Sequence, residues 1–275
     1  MILDEHTDKV YISAETYAQH PTITKRLLKA LDGENVRWEL LNHTRYSWCR
    51  DYMPIQIAED KFLQYRYFPD YMDDDQYRAY ITDPSETLQS LGIETVKTDI
   101  ILDGGNVIKC KDCVIMVDKV FKENAANYTQ SALIDRLEGL FGCEVLFLPW
   151  DKYEIYGHAD GIVRYVSEGK VLMTNYHDYD SKFADAFLNV LSKRFDVNVL
   201  EYTRKTHSMN WAYINFLQTK QAIFVPVFGK EEDEQSVSQI TQLYPSYEGH
   251  VVPVKMNGIV KDGGAINCIT WNIKE

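Results

Sequence analysis

Ala222-Ile-Phe-Val-Pro-Val-Phe228 has the composition of a buried strand and opens a unit that recurs along the chain. Residues 237–244 then carry apolar or β-branched side chains at i, i+3, i+4 and i+7, the spacing of one helix face. A second β-like run follows at His250–Val254, and the unit ends on the polar segment Asp262-Gly-Gly-Ala-Ile-Asn-Cys-Ile-Thr270. Strand, helix, strand and polar segment therefore define one module.

The same order of elements occurs five times. The first β-like runs begin at intervals of 52, 52, 56 and 52 residues, near Val10, Phe62, Val114, Lys170 and Ala222. The second runs are Val36–Leu40, Glu94–Thr98, Glu144–Leu148, Val197–Glu201 and His250–Val254. A period of this length indicates an array of supersecondary units. Because no linker separates the units, we predict a single α/β domain over residues 1–275 with five modules in a ring.

A polar segment follows each second strand. These segments are Ser47–Ile57, Ile101–Lys109, Tyr156–Val166, Met209–Leu217 and Asp262–Thr270. Their central residues, at intervals of 52, 57, 55 and 53, are Asp51, Asp103, Asp160 (with His158), Asn215 and Cys268. In a ring of repeats, equivalent positions converge on the axis. The spacing therefore predicts one central pocket that contains all five segments.

The bulk properties exclude several classes of protein. Of the 275 residues, 45% are hydrophobic and 25% charged, which is ordinary for a globular protein. A net charge of −12 argues against a nucleic-acid surface and is compatible with a small cationic substrate. Apolar runs are of strand length, no signal peptide is evident, and five cysteines lack a disulfide spacing. We expect a cytoplasmic protein without membrane or nucleic-acid partners.

The residue types in the predicted pocket define a narrow chemistry. Cys268 can act as a nucleophile, His158 can transfer protons, and a carboxylate can orient the imidazole. Asp51 and Asp160 remain as further acidic groups, which are costly to bury without a cationic partner. A guanidinium satisfies both carboxylates, since its planar N–H donors match them. This set predicts deimination without a metal or an organic cofactor.

Each of these residues also has a structural interpretation when considered alone. Cys268 could be an inert core thiol, His158 a satisfied core or surface histidine, and Asp51 a salt-bridge partner of Arg50. Asp103-Gly-Gly-Asn106 also has the composition of a hairpin turn, Asn215 could bond the backbone, and Trp48 could be core. The common spacing of the whole set is what favours the functional interpretation.

Two further segments receive structural predictions. Cys110-Lys-Asp-Cys113 has zinc-like spacing but lacks a second ligand pair, so we predict two structural cysteines. The aromatic and acidic stretch Tyr65–Tyr80 is predicted to be a surface loop, with substrate capture by a lid as the alternative.

Five motifs resemble those of agmatine deiminases and bacterial peptidylarginine deiminases, in the same order over residues 44–271. They are Trp48-Cys-Arg-Asp51-Tyr-Met-Pro54, Asp103-Gly-Gly-Asn106, Gly157-His-Ala-Asp160, Asn215-Phe216 with Val225-Pro-Val-Phe-Gly229, and Gly263-Gly-Ala-Ile-Asn-Cys268-Ile-Thr270. The resemblance implies the pentein fold, a five-bladed α/β propeller with pseudo-fivefold repeats around a central active site. The last motif departs from the family pattern at Asp262, Ala265 and Asn267, which bears on substrate and activity.

The resemblance also implies roles for individual residues. Cys268 becomes the nucleophile, His158 the acid/base, Asp51 and Asp160 the guanidinium ligands, and Asp103 a neighbour of the histidine. Five more residues of these segments are expected to contact the substrate: Trp48, Arg50, Asn106, Asn215 and Gly264.

The implied activity is conversion of agmatine or a similar guanidino compound to a ureido product and ammonia, as in putrescine biosynthesis. Peptidylarginine deimination, amidino transfer and a non-catalytic guanidino-binding protein remain as alternatives, and the chain could form a homo-oligomer.

Overall fold

The computed structural model describes residues 1–204 and 211–275. Within these ranges the chain forms five three-stranded sheets. The strands are β1 Lys9–Ser13, β2 Arg37–Leu41, β3 Ile55–Ala58, β4 Lys61–Arg66, β5 Thr95–Ile101, β6 Ile108–Lys109, β7 Cys113–Val117, β8 Glu144–Leu148, β9 Val163–Ser167, β10 Lys170–Met173, β11 Asp196–Val199, β12 Leu217–Gln218, β13 Ile223–Val227, β14 Val251–Lys255 and β15 Thr270–Ile273.

The helices connect and flank these strands. The α-helices are α1 Ala14–Gln19, α2 Pro21–Gly33, α3 Cys49–Tyr52, α4 Asp75–Arg78, α5 Ser85–Leu91, α6 Lys119–Asn124, α7 Gln130–Phe141, α8 Ser181–Leu191, α9 Trp211–Ile214 and α10 Glu231–Leu243. Short 3-10 turns lie at Asp4–His6, Asp70–Met72, Gly104–Asn106, Ala159–Gly161, Tyr176–Asp178, Pro245–Tyr247 and Ile259–Asp262.

Every sheet has the same topology. A central strand (β1, β4, β7, β10 or β13) pairs parallel with the strand that follows its helix and antiparallel with a third strand. The parallel pair needs the helical crossover, whereas the antiparallel pair needs only a turn. The five central strands begin within one residue of the predicted positions, and the predicted five-bladed arrangement is confirmed.

The first blade is completed by the end of the chain. Strand β15 pairs antiparallel with β1, with Val10 opposite Asn272 and Ile12 opposite Thr270. The other four antiparallel strands directly precede their own central strands. As a result, Cys268 lies two residues before the strand that joins the last module to the first.

Local sequence explains where the helices begin and end. The Thr129 hydroxyl accepts the Ala132 N–H at the start of α7, and Gly142 ends that helix in the left-handed conformation, with φ of 71°. The helix buries Leu133, Leu137 and Phe141 against the sheets. All five residues of the central strand β7 are buried, which accounts for its continuous apolar sequence.

The structure corrects one prediction. Residues Tyr65, Tyr67 and Met72 are buried in the apolar core, so the first half of Tyr65–Tyr80 is not a surface loop. Tyr77 and Tyr80 in the second half are exposed.

The structure agrees with the prediction for one further sequence feature, and a second feature lies partly outside the described residues. Cys110 and Cys113 are buried, unbridged thiols in the β6–β7 hairpin, as predicted. The polar segment Met209–Leu217 begins with two residues that lie outside the described ranges.

No helix within residues 1–204 and 211–275 combines the length and apolar character that crossing a membrane requires.

Candidate active site

The polar segments occupy equivalent places in the five modules. Each lies between a parallel strand and the next antiparallel strand, and each contains or follows a short helical turn. Asp51 lies in α3, Asp103 directly precedes the 3-10 turn at 104–106, and Asp160 lies in the turn at 159–161. Asn215 follows α9, and Cys268 precedes β15. The sequence period is therefore also a structural one.

Cys268 lies on a tight backbone turn and is 6% exposed. Its N–H donates to Asn215 Oδ1 at 3.3 Å, and its carbonyl accepts the Arg50 N–H at 3.1 Å. Its Sγ lies 3.6 Å from Asp160 Oδ2. Residues from other modules therefore bind both the N–H and the carbonyl of Cys268.

The environment of Cys268 disfavours the thiolate. Burial raises the pKa of the thiol well above its ordinary value, and the carboxylates of Asp160 and Asp51 raise it further. Hydrogen bonds from Ala265 and Asn215 oppose this shift without cancelling it. A cation placed beside the sulfur would lower its pKa, since it would compensate both carboxylates.

His158 faces a carboxylate at each ring nitrogen. Its Nε2 lies 2.8 Å from Asp103 Oδ2, and its Nδ1 lies 3.7 Å from Asp51 Oδ1. Burial by itself would lower the pKa of His158, but Asp51 and Asp103 outweigh burial and raise it to about 10. The imidazole is therefore protonated at neutral pH and available as a proton donor.

Asp51 sits deeper than the histidine ring. Burial raises its pKa to about 7; His158 lowers it, while Asp103 and Asp160 add to the increase. Its Oδ1 accepts the Gly105 N–H at 3.1 Å. A Cβ on Gly105 would lie 2.7 Å from that oxygen and 2.8 Å from His158 Nδ1, so only glycine fits between them.

Asp160 is held by a residue at which the chain departs from the family motif. Asn267 Nδ2 donates to Asp160 Oδ2 at 2.7 Å, and the Asn267 N–H donates to the Asn215 carbonyl. Ala265 is fully buried, and the Asp262 carboxylate lies 3.5 Å from His20 Nε2 near the surface. The three departures therefore leave Cys268 and Asp160 in contact.

A cleft of about 590 Å³ opens beside Cys268, His158 and Asp160. Asp51 and Asp103 are not among its lining residues but contact the two ring nitrogens of His158. Most of the other lining residues are acidic or aromatic, namely Asp151, Tyr153, Glu154, Tyr156, Tyr176, Asp178, Tyr179, Asp180 and Trp211, and the rest are Gly161, Ile162 and Gly263. Among the described residues no lysine or arginine lines the cleft.

Two residues predicted to bind substrate instead bond to the protein. The Arg50 guanidinium donates to the Asn267 carbonyl at 3.3 Å and to Asn272 Oδ1 at 2.5 Å. The Asn106 amide exchanges two hydrogen bonds with the Val117 backbone, at 2.7 and 3.1 Å. Neither lines the cleft.

The other three predicted contacts also lie outside the cleft lining. Trp48 packs so closely on Gly264 that a Cβ there would lie 2.2 Å from the indole ring. Asn215 accepts the Cys268 N–H, while its own Nδ2 is buried and has no hydrogen-bond partner among the residues that the structure describes. These residues shape the turn around the nucleophile from behind.

Tyr71 and Glu154 adjoin the site but are not among the residues predicted from the sequence. The Tyr71 hydroxyl donates to Asp103 Oδ2 at 3.0 Å, and its ring packs edge-on against Tyr156. Glu154 accepts the N–H groups of Tyr156 and Gly157 and shapes the turn before His158. The abundance of tyrosine was visible in the sequence, but nothing in the repeat spacing assigned these residues to the axis.

Within residues 1–204 and 211–275, no group of three or more His, Cys, Asp or Glu side chains is placed to hold a metal ion.

Known proteins resemble this chain in sequence and in fold. The sequence model of the Porphyromonas-type peptidyl-arginine deiminase family matches residues 5–273. A Streptococcus mutans protein provisionally named agmatine deiminase is 25% identical over 82% of this chain and 73% of its own length. A similarly named Mycoplasma mycoides protein is 26% identical over 65% of this chain, and the match spans only 58% of that protein.

The fold recurs among solved structures. The C. jejuni agmatine deiminase with substrate bound superposes with a TM-score of 0.79 at 15% identity, covering 100% of this chain and 96% of that one. Fold and relatives thus define an α/β propeller of the guanidino-group deiminase class. The chain belongs to the Porphyromonas-type peptidyl-arginine deiminase family. The predicted family, fold and enzyme class are confirmed.

Proposed function

We propose that this chain is a guanidine deiminase that converts agmatine, or a similar free guanidino compound, to its ureido product and ammonia. One observation carries the proposal. The Cys268 thiol, the Asp160 carboxylate and the His158 imidazole line one cleft, with Asp51 and Asp103 on the buried side of the histidine. A nucleophile, a proton donor and two carboxylates near a cationic substrate are the parts that this hydrolysis needs.

The proposed sequence begins when the guanidinium binds in the cleft beside Asp160 and Cys268, with the Asp51 carboxylate next to His158. Its positive charge lowers the pKa of Cys268, and the thiolate attacks the central carbon. His158 then gives its proton to a departing amino group, which leaves as ammonia, and a thiouronium remains on sulfur. Neutral His158 next takes a proton from water, which attacks the same carbon and releases the thiolate. The sum is substrate plus water to ureido product plus ammonium.

The walls of the cleft support a substrate that carries a second positive charge. Asp151, Glu154 and Asp180 line the cleft, and no lysine or arginine among the described residues lines it to receive a carboxylate. A cleft whose charge is opposite to that of a ligand raises the local concentration of the ligand, whereas a cleft of the same charge repels it. We therefore propose a preference for agmatine, a guanidine with a free amine, over arginine with its α-carboxylate.

The decisive experiment offers agmatine, free arginine and an arginine-containing peptide to the purified chain, with ammonia and ureido products as readouts. We expect the highest kcat/KM for agmatine, and a peptide preference would transfer the proposal to peptidylarginine deimination. Addition of an amine acceptor tests amidino transfer, which would yield a new guanidine with little ammonia. Absence of ammonia from every substrate would contradict deimination.

A non-catalytic binding protein is the second candidate, because Asn267 replaces the histidine that precedes the nucleophile in the family motif. Cys268→Ala should abolish turnover and leave agmatine affinity, measured by calorimetry, within about tenfold. Cys143→Ala, a half-buried thiol away from the cleft, is the matched control and should retain turnover. Binding of agmatine by the wild type without any turnover would favour the binding protein.

We also propose a cytoplasmic location, since all five cysteines are free thiols.

A further inference from the structure

Lys119 is a buried lysine that the chemistry above leaves without a role. It is the first residue of α6 and is 1% exposed. A buried ammonium is costly unless it is paired. Its Nζ lies 2.8 Å from Asp70 Oδ1 and 3.3 Å from Glu123 Oε1. Burial lowers the pKa of Lys119, but Glu123 and Asp70 outweigh it and keep the side chain charged.

The same side chain supports the turn that leads into His158. Lys119 Nζ donates to the Tyr156 carbonyl at 3.0 Å. Its alkyl stem lies directly against Gly157, where a Cβ would come within 2.5 Å of Lys119 Cδ. Gly157 has a φ of +68°, which glycine adopts without strain. The lysine stem can therefore pack against residue 157 only because that residue is glycine.

Lys119 also contacts Tyr71, which is hydrogen-bonded to the Asp103 carboxylate beside His158. Its Nζ lies 4.8 Å from the centroid of the Tyr71 ring, a cation–π distance. The Tyr71 hydroxyl donates to Asp103 Oδ2, the oxygen that also contacts His158 Nε2. One ammonium group thus touches both the backbone that carries His158 and the tyrosine that orients its carboxylate partner.

We propose that Lys119 is a positioning residue that holds His158 between Asp103 and Asp51 without touching the substrate. The inference rests on the proposed function in one respect only, which is that His158 transfers the proton. The position of the imidazole can also be measured directly, without turnover.

The kinetic test compares Lys119→Met with Lys122→Met. Lys122 pairs with the same Asp70 carboxylate, at 2.6 Å, but its side chain is 60% exposed and its ammonium lies over the Trp150 ring. We expect Lys119→Met to lower kcat by about ten- to a hundredfold with KM within about threefold, because small displacements of a catalytic group have such effects. Lys122→Met should match the wild type. Equal kcat for both variants would overturn the proposal.

The second readout is the titration of His158 by NMR, assigned with a His158→Gln variant. The groups that face this imidazole are Asp51, Asp103, Asp160, Tyr71 and Tyr156. If Lys119 positions the ring, its loss separates the ring from the carboxylates, and the pKa of His158 falls towards its ordinary value. If Lys119 acts only as a nearby charge, the pKa rises when that charge is removed. A rise or an unchanged pKa would overturn the proposal.

A further variant separates positioning from folding. Lys119→Met leaves the Glu123 carboxylate buried without its cation, so the single variant could fold poorly. Lys119→Met with Glu123→Gln removes both charges and still lacks the contact with Tyr156. We expect the same fall in the pKa of His158 in this variant, with cooperative unfolding. If the wild type deiminates no guanidine, the proposed function fails, whereas the titration still tests Lys119.

Discussion

His158 owes its protonation state to the two carboxylates that face its ring nitrogens. Both carboxylates, Asp103 and Asp51, lie more than 50 residues before His158 in the sequence. Cys268 experiences the opposite effect, because burial and nearby carboxylates favour its neutral thiol. Without substrate, the site therefore holds a protonated histidine and a neutral thiol, and a bound cation would lower the pKa of that thiol. This arrangement favours guanidinium substrates over neutral amides.

A pH profile follows from these groups. The pKa of Asp51 is raised to about 7, and that of His158 to about 10. We expect kcat/KM for agmatine to rise through about pH 7, because ionised Asp51 adds to the negative charge that attracts the cationic substrate. It should fall near pH 10, as His158 loses the proton that it donates. Rates measured from pH 5 to 11 check this, and a profile without an alkaline limb would contradict the role of His158.

Gly105 provides a test of packing inside the site. A Cβ there would approach Asp51 Oδ1 and His158 Nδ1 to less than 3 Å, so Gly105→Ala should displace both and lower kcat/KM by about a hundredfold. Gly139→Ala, in the last turn of α7, is the control, because nothing lies within 4 Å of its added Cβ. It should keep full activity and gain about 0.5–1 kcal/mol of stability. Full activity of Gly105→Ala would show that the two side chains are not fixed.

Among the structural elements, β15 begins two residues after the nucleophile and pairs with β1, which closes the ring of blades. Trp271 is 2% exposed, donates from Nε1 to the Pro54 carbonyl at 2.8 Å, and packs against Tyr11 and Phe62. It lies three residues after Cys268, in the strand that completes the first blade. Packing of this strand therefore determines where the thiol lies.

Trp271→Ala should destabilise the fold by about 3–5 kcal/mol, because it removes a large buried side chain and leaves a cavity. Trp38→Ala, at the opposite edge of the same sheet, removes a half-buried indole and should cost clearly less. Urea unfolding of the two variants measures the difference. Equal losses would mean that the closing strand is no more important than the outer edge.

Across the whole molecule, a second polar layer lies along the antiparallel strands beyond the site. Lys109, Arg164, Gln218 and Asn272 occupy β6, β9, β12 and β15 at intervals of 55, 54 and 54 residues. Asp4 lies 2.7 Å from Lys109 Nζ and 3.1 Å from Arg164 Nη2. The N-terminal turn therefore supplies the carboxylate for buried cations of two blades.

Asp4→Asn should reduce the free energy of unfolding at pH 7 by about 3 kcal/mol, since it leaves these cations uncompensated. Burial raises the pKa of Asp4, but Lys109 and Arg164 outweigh it and hold the pKa well below its ordinary value. This stabilisation is present above about pH 4 and is lost as the pH falls further, so wild type and variant should converge in acid.

Denaturant unfolding at pH 7 and in acid checks the prediction for Asp4. Glu39→Gln, which breaks an exposed pair with Lys9, is the control and should change stability by less than about 1 kcal/mol. A constant difference between wild type and Asp4→Asn at all pH values would contradict the assigned ionisation.

Much of the architecture could be predicted from the sequence because its signals are local and repeat. Strand-length apolar runs, helix periodicity and a period near 53 residues indicated five modules, and the structure has five sheets with this topology. The same period brought Cys268, His158, Asp160, Asp51 and Asp103 into one neighbourhood. Equivalent positions in a ring meet at its axis whatever their separation along the chain, so spacing was sufficient evidence.

The tertiary structure was needed to show which way each side chain points. Arg50 and Asn106 belong to the right segments but turn towards backbone and amide partners, in one case 222 residues away. Tyr71 and Lys119 lie outside the polar segments and still reach the surroundings of His158. Side-chain direction depends on partners from other blades, and one sequence does not reveal those partners. The repeat therefore located the site, while contacts between blades determined its lining.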